Sequence, residues 1–137
     1  MRFVDTNVLI YAAGLHPEQP RKTQRAREVL ASGDVLTSAQ VIAEFFDRSV
    51  RKSKPVHLTD RQARLFVDTL RAFHIAPVTI ATFDRAMRIR EQTNYRYYDC
   101  AVIASALLLN TEVLLTEDLQ KERVIEGLRI ENPFSGL

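Results

Sequence analysis

Short apolar runs of strand type alternate along this chain with longer segments whose apolar positions recur every three or four residues, and that alternation lays out the elements. The stretch "RFVD" reads as a first strand and "TNVLIYAA" as a helix halted at Gly14. After the loop "HPEQP", Pro20 suits the first turn of a second helix ending near Gly33. "DVLTS" is the next strand, and Ser38 is a good N-cap for a helix to about Arg51. Thr59 and Gln62 have the spacing of a capping box for a helix reaching Phe73. "HIAPV" gives a third strand, and Thr79 or Thr82 opens a further helix. "YYDCAVIASALLLN" is helical with Asn110 as its stop, "EVLLT" is a fourth strand and "LRIE" a candidate fifth.

Strands separated by helical crossovers imply a mainly parallel sheet covered on both faces, an α/β fold of the three-layer α/β/α sandwich type. In such sheets ligands bind outside the carboxyl ends of the strands. The 137 residues, 46% hydrophobic and without an evident linker, are expected to form one domain, residues 1–137. The longest nearly uninterrupted apolar stretch, residues 100–109, is too short to span a bilayer, and Asp5 breaks any N-terminal secretory segment. A soluble cytoplasmic protein with no membrane partner is therefore expected.

Cys100 is the only cysteine, so no internal disulfide forms, and it is expected to pack as a small hydrophobe. His16, His57 and His74 have no zinc-ligand spacing. Four scattered glycines make no phosphate-binding loop. The net charge of +2 conceals a bias, because fifteen of the nineteen cations are Arg, the residue suited to bidentate phosphate contacts. Clusters at residues 21–27, 48–54 and 85–90 can serve either as solvated helix faces or as a phosphate-binding rim.

The acids carry the chemistry. Asp5 interrupts an apolar run directly after the first strand, where it can act as a helix N-cap or as a site residue. In "SAQVIAEFFDRSV", at about 100° per residue, Glu44 borders the face formed by Val41, Ile42, Phe45 and Phe46, whereas Asp47 points away from it. Glu44 can look along the core towards the strand ends or pair with Arg48 one turn on. Asp99 shares the inward stripe of Val102, Ile103 and Ala106, in a first turn whose dipole favours negative charge. A cap explains its position along that helix but not its inward phase. Glu117 and Asp118 follow the fourth strand, and Asp118 is the preferred fourth acid.

Asp5, Glu44, Asp99 and Asp118 are thus expected to converge without buried cations among them. Like charges at close quarters are costly, and an all-oxygen set suits Mg²⁺ or Mn²⁺ rather than zinc. Such an ion can polarise a phosphate and activate water, which points to phosphodiester hydrolysis.

In this order and spacing, "VDTNVLIYA", "SAQVIAEF", "YYDCAVIASAL" and "LLTEDL" resemble the PIN domain, particularly the VapC-like ribonuclease toxins of toxin–antitoxin pairs, and the ending "VIEGLRIENPF" resembles one subset of them. The resemblance implies a Mg²⁺- or Mn²⁺-dependent endoribonuclease, homodimeric, acting on RNA and blocked by a cognate antitoxin. By position it implies Asp5, Glu44, Asp99 and Asp118 as catalytic metal ligands, with Thr6, Asn7 and Thr116 in support. A housekeeping RNA-processing nuclease and a non-catalytic RNA- or protein-binding module are the alternatives. A haloacid-dehalogenase-type phosphatase needs a second Asp two residues after the first, where this chain has Asn7. A receiver domain needs an acidic pair near strand one and a Lys after the last strand, neither of which is evident.

Overall fold

In a computed structural model, residues 1–119 and 123–137 are described. The elements follow in the order β1 (Arg2–Val4), α1 (Thr6–Ala12), α2 (Pro20–Ala31), β2 (Val35–Ser38), α3 (Ala39–Ser49), α4 (Asp60–Thr69), β3 (His74–Ala76), α5 (Ile80–Thr93), α6 (Tyr97–Leu108), β4 (Val113–Leu115), β5 (Val124–Ile125) and β6 (Leu128–Glu131). Local signals set most of these boundaries. Ser38 accepts the Val41 N–H at 3.1 Å, and Thr59 and Gln62 form the reciprocal capping box. The α1 helix stops at Gly14 (φ 80°), and α6 stops before Asn110 (φ 55°), both in the left-handed region that ends helices. Pro77 follows β3 directly, and with no N–H it cannot extend the ladder. The α4 helix ends at Thr69 and passes into a single 3₁₀ turn, Leu70–Ala72, short of Phe73.

The strand order is β3-β2-β1-β4-β6-β5, with every pairing parallel except β5 against β6. The α1 to α4 helices pack among themselves in sequence of contact, and α5 packs on α6. That division follows from handedness. Successive right-handed crossovers move outward from β1 to β3, and the chain then crosses back to β4 on the other side of β1, so its helices cover the opposite face. The result is the expected three-layer arrangement, with β1, β2 and β4 at its buried centre. Phe3, Val4, Leu114 and Leu115 of these strands are buried in one core cluster with Leu9, Phe45 and Ile103 of the helices.

The β5 strand was not anticipated. It is two residues long and pairs with β6 through a tight turn at Glu126 (φ 49°) and Gly127 (φ 87°), the double positive-φ geometry that suits the twist of a hairpin. Among the described residues no helix is long and apolar enough to cross a membrane.

Candidate active site

Strand order reverses at β1, whose neighbours β2 and β4 leave in opposite directions, and a crevice opens at the carboxyl ends of β1 and β4. The backbone closes its base: the Asp5 N–H donates to Leu115 O at 3.1 Å, and Thr116 N–H donates to Glu131 O at 3.0 Å. Asp5 and Thr116 are therefore held side by side by the sheet itself.

Asp5 is a helix cap that also lines the cleft. It occupies the N-cap of α1, and its Oδ1 accepts the Thr6 N–H at 2.7 Å. Its Oδ2 instead accepts the Thr116 hydroxyl at 2.9 Å. Burial pushes the Asp5 carboxyl up from 3.8 to about 6, and the nearby charges of Asp118 and Glu44 push the same way, against the bonds from Thr6 and Thr116.

Thr116 is the hub of the site. Fully buried, it also accepts Asn7 Nδ2 at 3.2 Å and the Asp118 N–H at 3.2 Å. Asn7 Nδ2 donates in addition to Asp118 Oδ2 at 2.9 Å, while Asn7 Oδ1 is buried with no partner among the described residues. The Thr6 hydroxyl donates to Glu44 Oε2 at 3.0 Å, so Glu44 turns to the strand ends rather than to Arg48. Asp99, in the first turn of α6, faces Arg96 at 3.5 Å; its side chain is 23% exposed and that of Arg96 82%.

These residues line one cleft of about 350 Å³ that holds Asp5, Thr6, Glu44, Asp99 and Asp118, with Arg48, Arg51, Arg96 and Tyr98 at its edge. Asp47 also reaches the edge of this cleft. It is solvated as expected, 73% exposed, but its ion pair with Arg51 at 2.7 Å keeps it at the rim.

Among the described residues no three His, Cys, Asp or Glu side chains close tightly enough on one point to enclose an ion. Each acid is tied to its own donor: Glu44 to Thr6, Asp118 to Asn7, Asp99 to Arg96. The donor set nonetheless fits a hard divalent cation. It consists of carboxylate oxygens, those of Asp5, Glu44, Asp99 and Asp118, and centres on a buried carboxyl whose ionisation is opposed by burial and by like charges.

The adjacent acids Glu117 and Asp118 part company. Glu117 turns out of the cleft, where Oε1 accepts the Tyr11 hydroxyl at 2.6 Å and Oε2 accepts Lys22 Nζ at 3.0 Å. Of the three basic clusters, only that at residues 48–54 reaches the cleft. In the other two, Lys22 binds Glu117, Arg27 Nε donates to Ala12 O, and Arg85 pairs with Glu126. Arg96 and Tyr98 were missed as cleft residues. Their position flanking Asp99 was the available signal.

The chain belongs to the PIN domain family, whose model matches residues 2–126, and PIN domains are nucleases. No curated protein sequence matches the chain. Several solved structures share its fold. A toxin–antitoxin complex from Klebsiella pneumoniae aligns with TM-score 0.71 at 18% identity, over 98% of this chain and 98% of its own. VapC20 of Mycobacterium tuberculosis, a toxin that cleaves the sarcin–ricin loop, aligns with TM-score 0.65 at 16% identity, over 83% of this chain and 87% of its own. VapBC2 of Rickettsia felis, bound to a DNA fragment from its promoter, aligns with TM-score 0.65 at 22% identity, over 96% of this chain and 97% of its own.

Proposed function

We propose that this chain is a Mg²⁺- or Mn²⁺-dependent endoribonuclease, one catalytic domain over residues 1–137, and the toxin of a toxin–antitoxin pair. The observation that carries the reading is the single cleft lined by Asp5, Glu44, Asp99 and Asp118, drawn from four different parts of the chain, with three arginines at its rim. Those four acids would hold Mg²⁺ or Mn²⁺, which would supply Lewis-acid polarisation of a phosphodiester and a lowered pKa for a bound water.

The chain's own groups do the rest. Thr116 and the Thr6 N–H fix both oxygens of Asp5, Thr6 orients Glu44, and Asn7 orients Asp118. Arg48, Arg51 and Arg96 meet the phosphates on either side of the scissile one, and Tyr98, 59% exposed, offers a ring on which an unpaired base stacks. Single-stranded RNA is accordingly the favoured substrate. Two structural neighbours, one a toxin–antitoxin complex and one a toxin, support a toxin role and an antitoxin partner; on that reading the chain is a cytoplasmic homodimer whose antitoxin inserts an Arg among the acids.

The test is cleavage of single-stranded RNA by the purified protein. Activity is expected with Mg²⁺ or Mn²⁺, lost in EDTA, rescued by either ion and poorly by Ca²⁺, and abolished in Asp99→Asn but kept in Asp47→Asn. Cleavage that survives exhaustive chelation would refute the metal reading. Expression in a host is expected to arrest growth until the neighbouring reading frame is co-expressed. An active, non-toxic monomer would assign the chain to RNA processing instead.

A further inference from the structure

We infer that Lys22 is a positioning residue for Asp118: through Glu117 and Tyr11 it holds the segment after β4 in the one arrangement that presents Asp118 to the cleft. The inference rests on the reading of Asp118 as a ligand and deepens it. Glu117 and Asp118 are consecutive and chemically alike, and either carboxylate can be turned to the site if the backbone rotates. Among the described residues Asp118 is exposed and is held by Asn7 Nδ2 and by its own N–H to Thr116, and those two bonds leave the side taken by Glu117 open.

The decision is made on the far side. The two oxygens of Glu117 have separate donors on two helices, Tyr11 from α1 and Lys22 from α2, so the carboxylate is fixed in both place and plane. Lys22 also lies 3.4 Å from the Tyr11 hydroxyl, and its ammonium sits over the Tyr11 and Phe134 rings at 5.3 and 5.7 Å. Those rings meet edge to face at 4.8 Å. The Lys22 and Glu117 side chains are only 23% and 22% exposed, so without Lys22 a largely buried carboxylate keeps a single neutral donor. It then gains by moving to water, and the backbone carrying Asp118 moves with it.

The experiment compares Lys22→Met, Lys22→Arg and Glu117→Gln, each alone and with Asp118→Asn. Two quantities are measured: the rise in melting temperature on adding Mn²⁺, without RNA, and kcat and KM on single-stranded RNA. Lys22→Met is expected to weaken the apparent Mn²⁺ affinity and lower kcat by roughly 10-fold each, the scale of losses from groups that orient a ligand, with KM little changed. Lys22→Arg restores most of both, and neither Lys22→Met nor Glu117→Gln adds to the defect of Asp118→Asn.

Glu117→Gln keeps the shape and the Tyr11 bond, and carries the test if Lys22→Met folds poorly. Wild-type Mn²⁺ response and kcat in both variants, or defects fully additive with Asp118→Asn, would overturn the inference while leaving the nuclease reading intact. A wild-type protein with neither cleavage nor Mn²⁺ response would overturn both.

Discussion

Asp5→Asn in the metal-free protein gives the most direct measure of what the site costs the fold. The Asp5 carboxyl is raised from 3.8 to about 6, chiefly by burial, with Asp118 and Glu44 adding to it. Below pH 3.8 the group is neutral in both folded and unfolded chains and costs nothing. As the pH rises to 6 the unfolded chain releases this proton while the folded one retains it, so this contribution to stability is lost through that window. Above about pH 6 the loss amounts to about 3 kcal/mol at 1.36 kcal/mol per pH unit.

Asn carries no charge at any pH, but it cannot accept from both Thr6 N–H and the Thr116 hydroxyl without turning its amide towards one of them, which costs about 1 to 2 kcal/mol. The variant should therefore be more stable than wild type by about 1 to 2 kcal/mol at pH 7.5, roughly 3 to 7 °C in melting temperature for a chain of this size. At pH 4 it should be equal or less stable. Thermal melts in chelator at the two pH values read the crossover, and titrating groups remote from Asp5 cancel in the difference. Adding Mn²⁺ at pH 7.5 should raise the wild type more than the variant. A gap independent of pH, or a variant less stable at pH 7.5, would refute the account of Asp5 as a charge held in the fold against its own burial.

Thr116→Val keeps the shape and removes the hydroxyl that serves Asp5, Asn7 and Asp118, so a thermal melt should show a loss of about 2 to 3 kcal/mol. It should also shift the pH dependence of stability upward, since a bond that lowers the Asp5 pKa is gone. Arg48→Ala combined with Arg51→Ala should raise KM on RNA with kcat little changed and flatten the salt dependence of binding, as measured by titration at several ionic strengths. Gly127→Ala meets nothing within 4 Å, so its cost is backbone strain at φ 87°, about 1 to 2 kcal/mol in a melt, with the cleft untouched.

The parts of this protein legible in its sequence are those governed by neighbours a few residues apart. Ser38, Thr59 with Gln62, Gly14 and Asn110 mark helix ends because their partners lie within one turn, and spacing alone exposes them. Helical phase likewise made Asp47 the solvated acid beside Glu44, although both reach the cleft, and turned Asp99 inward, because 3.6 residues per turn fixes which face each occupies. The β5 strand escaped because two residues are too few to show a period.

The choice between Glu117 and Asp118 was legible only as a preference for Asp118, for a different reason. Both lie in irregular backbone, where no period assigns a side, and the groups that decide it are 106 residues away at Tyr11 and 95 away at Lys22. The basic clusters looked alike for the same reason: Lys22, Arg85 and Arg48 differ in what the fold places opposite them, not in their local sequence. Spacing along a chain encodes contacts made within a turn or a strand. Which carboxylate meets which distant donor is decided when the strands take their order and bring β1 beside β4.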